Sequence, residues 1–430
     1  MVHCYKSLLI RFNNSIIFLM PVTEILMYIF LFATLFFQVF ILLTFLDTRK
    51  DLFKKRNFNI SKFPSVSIMV PCFNEEKTLA GTINSLLALD YPKEKLAIIV
   101  IDDGSTDSTP DVLTQFATNP QVKLYKKENG GKYTALNFGL ERITSDLVGC
   151  LDADSFVERD ALKIVVSYFL NDKSVDAVTP SIIIREPKSI IQKIQRAEYY
   201  GSIFLRKMLS YLGAIYVTPG PFSIFRRKVF TDLGNYEHAY NTEDFELALR
   251  MHNNSMKIVN AHEARVTTIG PYSARALHKQ RLRWTFGFLK NIIDYKHLFG
   301  THNGALGVLV LPSGIIALLT IIFFVSVSLY NITILSINKI IALQAVNWKL
   351  SSPSFSFDLF YLNTDASLII GIVLIFMTIV AFTYGRKIAD QKNLLIGEFI
   401  LFAVLYVFVA PLWIIHSFYN LLLAKSTHWR

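Results

Sequence analysis

The stretch SVSIMVPCFNEEKTLAGTINSLLAL, residues 65–89, decides the fold of the middle of this 430-residue chain. Its first six residues are a short apolar run, a polar loop follows at 71–76, and apolar residues then recur at helical spacing over 78–89. The same alternation continues in LAIIVI (96–101), a helix-like stretch (110–118), VKLY (122–125), the helical TALNFGLERI (134–143) and LVGCL (147–151). Alternating strand and helix patterns with short apolar strands predict a parallel sheet covered by helices.

Polar clusters directly follow three of these predicted strands. The clusters are PCFNEE after 65–70, DDGSTDST after 96–101 and DADS at 152–155. Ligands of such sheets bind outside the carboxyl ends of the strands. We therefore expect the three clusters to lie together at one edge of the sheet, where they form a binding site.

Each motif has a chemical interpretation and a structural alternative. Asp152 and Asp154 can turn oxygen ligands toward a divalent cation such as Mg²⁺, which binds through one or two carboxylates together with substrate phosphates. Lys132 follows two glycines and precedes a helix, which suits a diphosphate, but it also fits a solvated loop. DDGS by itself fits a simple turn. Glu243 and Asp244, with Thr242 as N-cap, fit a helix start that complements the macrodipole.

The composition excludes an ordinary soluble protein, because 52% of the residues are hydrophobic, 18% are charged and 35 are Phe. The apolar residues concentrate in four blocks, each of which reaches the ~20 residues that a helix needs to cross a bilayer. These blocks are 23–46, 305–330, 366–384 and 394–424. We therefore predict four spanning helices, one before and three after a polar middle.

Basic residues predict the orientation of these helices. Five of them follow the first span and three fill the loop between the third and fourth, so the positive-inside bias places both positions and the middle domain in the cytoplasm. They are Arg49, Lys50, Lys54, Lys55, Arg56, Arg386, Lys387 and Lys392. The net charge of +11 fits juxtamembrane contacts with anionic lipid better than nucleic acid. Three cysteines have no metal-ligand spacing.

The order of the motifs resembles that of processive family 2 glycosyltransferases, which include cellulose, chitin, hyaluronan and poly-N-acetylglucosamine synthases. The motifs are PCFNEE, DDGSTD, NGGKYTALN, DAD, TPGPFSIFRR, TED and QRLRW, over roughly residues 65–300. Q-x-x-R-W after T-E-D is the specific part, because non-processive members commonly lack it. The resemblance implies an α/β fold: a cytosolic GT-A (Rossmann-like) domain inserted between transmembrane helices, with amphipathic interface helices. It also implies an inverting transfer from a UDP-sugar with Mg²⁺ or Mn²⁺.

The resemblance also implies roles for individual residues. Asp244 matches the catalytic base, with Glu243 beside it, and Asp154 matches the metal ligand of D-x-D. The nucleotide-sugar-binding positions are Pro71, Glu75, Asp102, Asp103, Lys132, Asp152, Gln280, Arg283 and Trp284. Trp284 also matches an acceptor-binding position, together with Gly220 and Pro221. Within QRLRW we assign Arg283 to the diphosphate and Trp284 to the acceptor sugar. Gln280 holds the loop, and Arg281 faces lipid.

The domain organisation follows from these assignments. The topology of residues 1–20 is uncertain, and the first transmembrane helix follows at 21–48. The cytosolic catalytic domain comprises 49–274, and the Q-x-x-R-W interface region comprises 275–300. Three transmembrane helices lie within 301–424, and residues 425–430 form a tail. Residues 189–212 mix apolar residues with Lys193, Arg196, Arg206 and Lys207, and we interpret them as an interfacial amphipathic helix. The alternative is a core-facing helix of the catalytic domain.

The resulting prediction is a multi-pass plasma-membrane hexosyltransferase that extends a polysaccharide on the cytosolic face, with or without export. N-acetylglucosamine is the preferred donor sugar, ahead of glucose and of alternating glucuronate and N-acetylglucosamine. The partners are a UDP-sugar, a saccharide or glycolipid acceptor and the bilayer, without nucleic acid, and the oligomeric state is open. One alternative transfers a single sugar to a polyprenyl phosphate or glycolipid. Another is an inactive scaffold or transporter subunit, against which the retained acidic motifs argue.

Overall fold

The structure is a computed structural model that describes residues 2–54, 58, 60–348, 365–391 and 396–423, with side chains described from residue 22 onward. Several residues used above lie outside this description, namely the basic residues Lys55, Arg56 and Lys392, the side chains of residues 1–20, and the tail 425–430. The described chain divides into two compact units. One comprises residues 1–42 and 312–378, and the other 43–311 and 379–430.

The first unit consists of long apolar helices. It contains most of α1 (Val2–Leu52), α10 (Leu311–Ala345) and the first half of α11 (Ala366–Ile388). The rings of Phe30 and Phe323 lie 5.1 Å apart and join α1 to α10. A π-helical turn at Leu306–Val310 precedes α10, so Pro312 lies in the first turn of that helix, where its missing N–H costs little.

The second unit contains the sheet and most of the remaining helices. Its strands are β1 (Val66–Cys72), β2 (Leu96–Asp102), β3 (Val122–Lys126), β4 (Leu147–Cys150), β5 (Ser155–Val157), β6 (Val175–Ile184), β7 (Ile224–Arg226) and β8 (Lys257–Thr268). Its complete helices are α2 (Leu79–Leu87), α3 (Thr109–Thr114), α4 (Lys132–Leu140), α5 (Ala161–Asn171), α6 (Ile190–Tyr211), α7 (Lys228–Leu233), α8 (Glu243–Asn253), α9 (Ala274–Asp294) and α12 (Ile396–Leu422).

The eight strands form one sheet in the order β3-β2-β1-β4-β7-β6-β8-β5. The first four are parallel, and Ile68 pairs with Ile98 at the centre. Ile68 and Met69 point to opposite faces and are both fully buried, as expected for a parallel strand covered on both sides. The prediction of an α/β fold is confirmed, and the β1–β4 half of the sheet is parallel as the alternation indicated.

The other half of the sheet is mixed, and it lies outside residues 65–151, for which the parallel arrangement was predicted. β7 runs antiparallel to both β4 and β6, and β5 runs antiparallel to β8. A parallel neighbour needs a crossover of a dozen or more residues. β7 has three residues and enters from the Gly/Pro-rich turn at 218–221, which reverses the chain direction beside β4.

Helix α6 packs into the second unit on more than one side. It begins with a capping box of Ser189 and Gln192, and it contacts β6 and β8 as well as α12. Lys207 is 2% exposed and donates to the Asn260 carbonyl at 3.0 Å, so its assignment to a membrane interface is wrong. Arg196 forms a two-pronged ion pair with Glu398 at the start of α12. The core-facing alternative describes this helix better.

Among the described residues, four helices are long and apolar enough to cross a membrane, in agreement with the sequence prediction. They are Val22–Leu52, Leu306–Ala345, Ala366–Ile388 and Ile396–Leu422. Pro411 lies inside the last of them. One span precedes the sheet and three follow it along the chain, as predicted.

Candidate active site

The two carboxylates at the end of β2 are held in different ways. Asp103 accepts from the ammonium of Lys127 at 2.6 Å and from the backbone N–H of Gly131 at 2.8 Å. Asp102 Oδ1 accepts from the Ser105 N–H at 2.8 Å. The other oxygen of Asp102 is buried and has no hydrogen-bond partner among the described residues. A buried carboxylate oxygen without a partner is costly, so this oxygen is suited to accept from a bound ligand.

Pro71 and Glu75 lie beside these aspartates because β1 and β2 are neighbours. Pro71 pairs with Ile101 in the register of the two strands. The Glu75 N–H donates to the Thr109 hydroxyl at 2.8 Å, and its carboxylate accepts from the Thr78 hydroxyl at 2.9 Å. The loop after β1 is therefore fastened to the loop after β2, and the first two polar clusters meet at one edge as expected.

Lys132 joins the D-A-D and T-E-D motifs. Its ammonium lies 2.8 Å from Asp152 Oδ1 and 3.2 Å from Glu243 Oε1. Burial opposes the charge on this lysine, but the carboxylates of Asp152 and Glu243 raise its pKa well above the usual value. Gly220 lies against this ion pair, because a Cβ there would come within 2.6 Å of the Lys132 ammonium. Three segments distant in sequence thus converge on one charged cluster.

Asp244 lies in the first turn of α8, one residue after Glu243. Burial, and then the neighbouring Glu243 carboxylate, raise the pKa of Asp244 to about 6. Its backbone carbonyl accepts from the N–H and the hydroxyl of Thr218, at 3.1 and 2.9 Å, which fixes the turn carrying Gly220 and Pro221 to the start of α8. Thr242 is the N-cap residue of α8 as predicted, but its hydroxyl donates to the Ala239 carbonyl and makes no capping hydrogen bond.

A strained turn precedes Asp244. Ala239, Tyr240 and Asn241 all have positive φ values, of 40°, 56° and 63°. Left-handed conformations cost non-glycine residues about 1–2 kcal/mol each. Arg283 donates to the Asn241 carbonyl at 2.7 Å, and the Arg283 guanidinium also acts electrostatically on Asp244. Arg283 therefore supports the backbone beside Asp244, in addition to the role toward a diphosphate that the sequence predicts.

Asp154 has the features of a partial metal site. Oδ1 accepts from Ser155 at 3.2 Å and from Thr268 at 3.4 Å, whereas no hydrogen bond reaches Oδ2 from the described residues. Burial, then the charges of Asp152 and Glu75, raise the pKa of Asp154 to about 7. A divalent cation would relieve this repulsion. No group of three ligating side chains surrounds such an ion within the described chain, so substrate oxygens would complete its coordination.

The QRLRW residues lie within α9 and do not form a loop. Arg281 is 6% exposed, donates to Glu198 at 2.7 Å, and its guanidinium lies 4.3 Å from the centre of the Trp284 ring. The assignment of Arg281 to the lipid is therefore wrong: a charge this deeply buried needs the carboxylate of Glu198 on α6. Gln280 Oε1 is buried and has no partner in the described part of the chain.

Sequence reasoning missed Lys127 and Glu198. Lys127 pairs with Asp103 through a loop contact, and Glu198 pairs with Arg281 across 83 positions of sequence. No local pattern identifies such partners.

The raised pKa of Asp244 predicts a pH dependence. In the role of general base that the family resemblance implies, Asp244 acts in its deprotonated form, so kcat/KM should fall about tenfold per pH unit below a pKa near 6. The test is UDP release at subsaturating donor between about pH 5 and about pH 8, with UDP affinity measured over the same range to separate binding from chemistry. A rate that stays constant down to pH 5 would contradict the assignment of Asp244 as base.

Comparison with known proteins shows what this chain is similar to. Residues 67–234 match the family model described as glycosyl transferase family 2. Poly-beta-1,6-N-acetyl-D-glucosamine synthase of Staphylococcus aureus (strain COL) is 32% identical over 243 residues, which are 56% of this chain and 58% of that protein. The Staphylococcus epidermidis protein of the same name is 34% identical over 224 residues, 52% of this chain and 54% of that protein. The chain thus spans a little over half the length of the curated relatives it matches.

A solved structure supports the fold. The mannosyltransferase PcManGT from Pyrobaculum calidifontis, solved with GDP-Man and Mn²⁺, superposes with a TM-score of 0.53 at 21% identity, covering 85% of this chain and 99% of that one. At this identity the likeness shows the fold alone. The resemblance to family 2 glycosyltransferases that the motifs indicated is confirmed, as is a GT-A-like domain in a chain with helices long and apolar enough to cross a membrane.

Proposed function

We propose that this protein is a membrane-integrated inverting glycosyltransferase that transfers N-acetylglucosamine from a UDP-sugar to a growing polysaccharide. The main support for this proposal is the ion pairing of the Lys132 ammonium with Asp152 and Glu243. It brings the D-A-D motif of the donor site and the T-E-D motif of the base into one cluster. The choice of sugar and of a polymer product is supported by the relatives named above, whose printed names describe poly-beta-1,6-N-acetyl-D-glucosamine synthesis.

The donor is proposed to bind across the ends of β1, β2 and β4. The unpartnered Asp102 oxygen accepts a hydrogen bond from the nucleoside, and Lys132, at the start of α4, contributes positive charge toward the diphosphate. The existing partners of Lys132 are carboxylates, so an arriving diphosphate competes with Asp152 and Glu243 for this ammonium. Donor binding then rearranges the cluster next to Asp244.

Chemistry is proposed as a single displacement. The Asp244 carboxylate removes a proton from the acceptor hydroxyl, whose oxygen forms a bond to the anomeric carbon as the bond to UDP breaks. Arg283 lies beside Asp244 and stabilises the negative charge that develops on the leaving diphosphate. Asp154 would hold Mg²⁺ or Mn²⁺, which would supply Lewis-acid stabilisation of the same charge.

The membrane arrangement is part of the proposal. The basic residues Arg49 and Lys50 end the first span, and Arg386 and Lys387 end the third. By the positive-inside bias these ends lie in the cytoplasm. The domain between the first and second spans then faces cytoplasmic UDP-sugars, and the protein is a multi-pass plasma-membrane enzyme.

The function is tested with purified full-length protein in detergent and a panel of UDP-sugars, with Mn²⁺, Mg²⁺ or EDTA. UDP release and product length are measured together. UDP-N-acetylglucosamine with a divalent cation should give a polymer, and EDTA should stop its formation. A product with one added sugar in excess donor would favour transfer to a lipid carrier, and no release of UDP from any donor would refute the proposal.

Metal binding at Asp154 gives a prediction that needs no turnover. Asp154→Asn should reduce UDP affinity in Mn²⁺ by about 10-fold or more, the minimum expected for disturbing a metal site. It should leave UDP affinity in EDTA unchanged, which calorimetry measures directly. The matched control is Asp160→Asn, because Asp160 is exposed and its side chain makes no capping bond. Equal loss of affinity in EDTA would contradict a role through the metal.

A further inference from the structure

The strained turn before Asp244, residues 239–241, is held by one face of α9. All three of its residues have positive φ values, and such conformations persist only where the surrounding structure enforces them. Residues three or four apart along a helix share one face. Those of α9 that contact residues 239–242 are Arg283, Phe286, Gly287, Lys290, Asn291 and Asp294. We call this set of contacts the α9 clamp.

Asn291 lies at the centre of the α9 clamp. It is 2% exposed, and its amide nitrogen donates to the Thr242 hydroxyl at 3.0 Å and to the Gly287 carbonyl at 2.8 Å. Both hydrogens of the amide are therefore used. The Thr242 hydroxyl in turn donates to the Ala239 carbonyl at 2.7 Å. A chain of hydrogen bonds thus runs from α9 through Thr242 to the first residue of the strained turn.

Close packing adds to this chain of hydrogen bonds. Gly287 lies directly against Thr242, because a Cβ at residue 287 would collide with the hydroxyl and the methyl group of that side chain. Tyr240 packs edge-on against Phe286, with ring centres 6.3 Å apart, and its hydroxyl donates to Asp294 at 3.0 Å. Successive turns of α9 therefore hold the segment at two points.

The position of Asp244 depends on this segment, because Thr242 precedes it by two residues. The Asp244 carbonyl accepts from the Thr218 hydroxyl at 2.9 Å. The neighbouring Glu243 carboxylate lies 3.2 Å from the Lys132 ammonium. Neither contact involves the strained turn, so the α9 clamp restrains the chain where it enters α8.

We propose that Asn291 is a positioning residue for sugar transfer, which holds Thr242 and thereby keeps the Asp244 carboxylate in place. The inference rests on the proposed function, in which Asp244 is the base. The proposed donor site uses the loops after β1, β2 and β4, which are different segments of the chain. Loss of the clamp should therefore slow transfer at saturating donor without weakening the donor. A displacement of about 1 Å at a reacting group can lower a rate about 100-fold.

The first test compares Asn291→Ala with Asn84→Ala in full-length protein in detergent. Asn84 is exposed on α2, so the control removes the same amide from a helix surface. UDP release from UDP-N-acetylglucosamine with Mn²⁺ is measured below the melting temperature of each protein. Asn291→Ala should lower kcat about 10- to 100-fold while the donor KM stays as in wild type. Asn84→Ala should match the wild type in both constants.

Two Thr242 variants distinguish positioning from packing. Thr242→Val keeps the branched shape but loses the hydroxyl that accepts from Asn291 and donates to Ala239. It should lower kcat as far as Asn291→Ala does, and the double variant should be no slower, because both side chains belong to one chain of hydrogen bonds. Thr242→Ser keeps the hydroxyl and should have a kcat about tenfold higher than that of Thr242→Val.

Hydrogen exchange measures the α9 clamp without turnover. The amides of Asn241 and Thr242 close the strained turn by donating to the carbonyls of His238 and Ala239, at 2.8 and 3.0 Å. Their exchange should become faster in Asn291→Ala and in Thr242→Val. Exchange of the amides in β2 should stay as in wild type, since local opening exposes only the segment that has lost its contacts.

The outcomes separate the clamp from the function. Exchange that is unchanged in both variants, or faster exchange with a normal kcat, would overturn the positioning role of Asn291. A donor KM that rises as much as kcat falls, or a Thr242→Ser variant as slow as Thr242→Val, would overturn it as well. If Asn291→Ala does not fold, the Thr242 pair decides. Wild-type protein that releases no UDP from any UDP-sugar refutes the proposed function instead, and exchange still shows whether the clamp holds the turn.

Discussion

Asp244→Asn should reduce sugar transfer by about 10²–10⁴, the usual contribution of a general base. The asparagine side chain has the same size and can still accept a hydrogen bond, but it cannot take the proton from the acceptor hydroxyl. UDP affinity should stay close to wild type, because the Asp244 contacts with Thr218 use the backbone carbonyl, which the substitution retains. UDP release and calorimetric UDP binding measure the two properties.

The stability of this variant separates chemistry from folding. The folded-state pKa of Asp244, about 6, lies above its ordinary value of 3.8, so its ionised form destabilises the folded protein above pH 6. That cost develops as the pH rises from about 4 to about 6 and is absent in the asparagine variant. The melting temperature at pH 8 should therefore be no lower than that of wild type.

The control for this variant is Glu237→Gln. It removes a carboxylate seven residues earlier whose side chain is 64% exposed, and it should have wild-type activity. If Asp244→Asn keeps its turnover, Asp244 is not the base. If its melting temperature falls in parallel with its rate, the lost activity results from unfolding.

The sequence predicts the parallel half of the sheet well, because local patterns determine it. Each strand from β1 to β3 is a short apolar run followed by polar residues and a helical pattern. Parallel strands with helical crossovers bring their carboxyl ends to one edge. Glu75, Asp102 and Asp103 are therefore brought together by rules that operate within about 40 residues of sequence.

Long-range pairing limits the prediction elsewhere. The three-residue strand β7 has no periodicity that specifies its antiparallel direction. Lys207 and Arg281 look like interfacial charges because apolar residues surround them, and such a pattern fits a lipid face and a protein core equally well. Their partners, Asn260 and Glu198, lie 53 and 83 positions away. Only the tertiary structure shows that these charges are buried.

Arg281→Gln should affect both stability and acceptor binding, because Arg281 connects α6 to the tryptophan of α9. Loss of the guanidinium removes the 2.7 Å bond to Glu198 and the contact below the Trp284 ring. Breaking a buried ion pair typically costs about 3–5 kcal/mol. Glu198 keeps 20% of its side chain exposed, so solvent compensates part of this loss. We expect a destabilisation of about 2–3 kcal/mol, measured by denaturant unfolding of the full chain.

A cycle with Glu198→Gln tests whether this pair acts as a unit. If the loss comes from leaving Glu198 without its partner, the double variant should be less destabilised than the sum of the single variants. Arg275→Gln is the matched control, since Arg275 is exposed on the same helix and should have no effect. If Arg281 faced lipid instead, neither Arg281→Gln nor Arg275→Gln would change the free energy of unfolding.

The effect of Arg281→Gln on acceptor binding comes from the position of Trp284. Arg281→Gln should raise the acceptor KM more than it changes kcat, since the tryptophan remains present but is no longer held by the guanidinium. Arg281→Lys should restore part of the acceptor affinity, because an ammonium still pairs with Glu198 and lies near the ring. A uniform loss of kcat in both variants, with the acceptor KM unchanged, would show that Arg281 supports the fold without positioning Trp284.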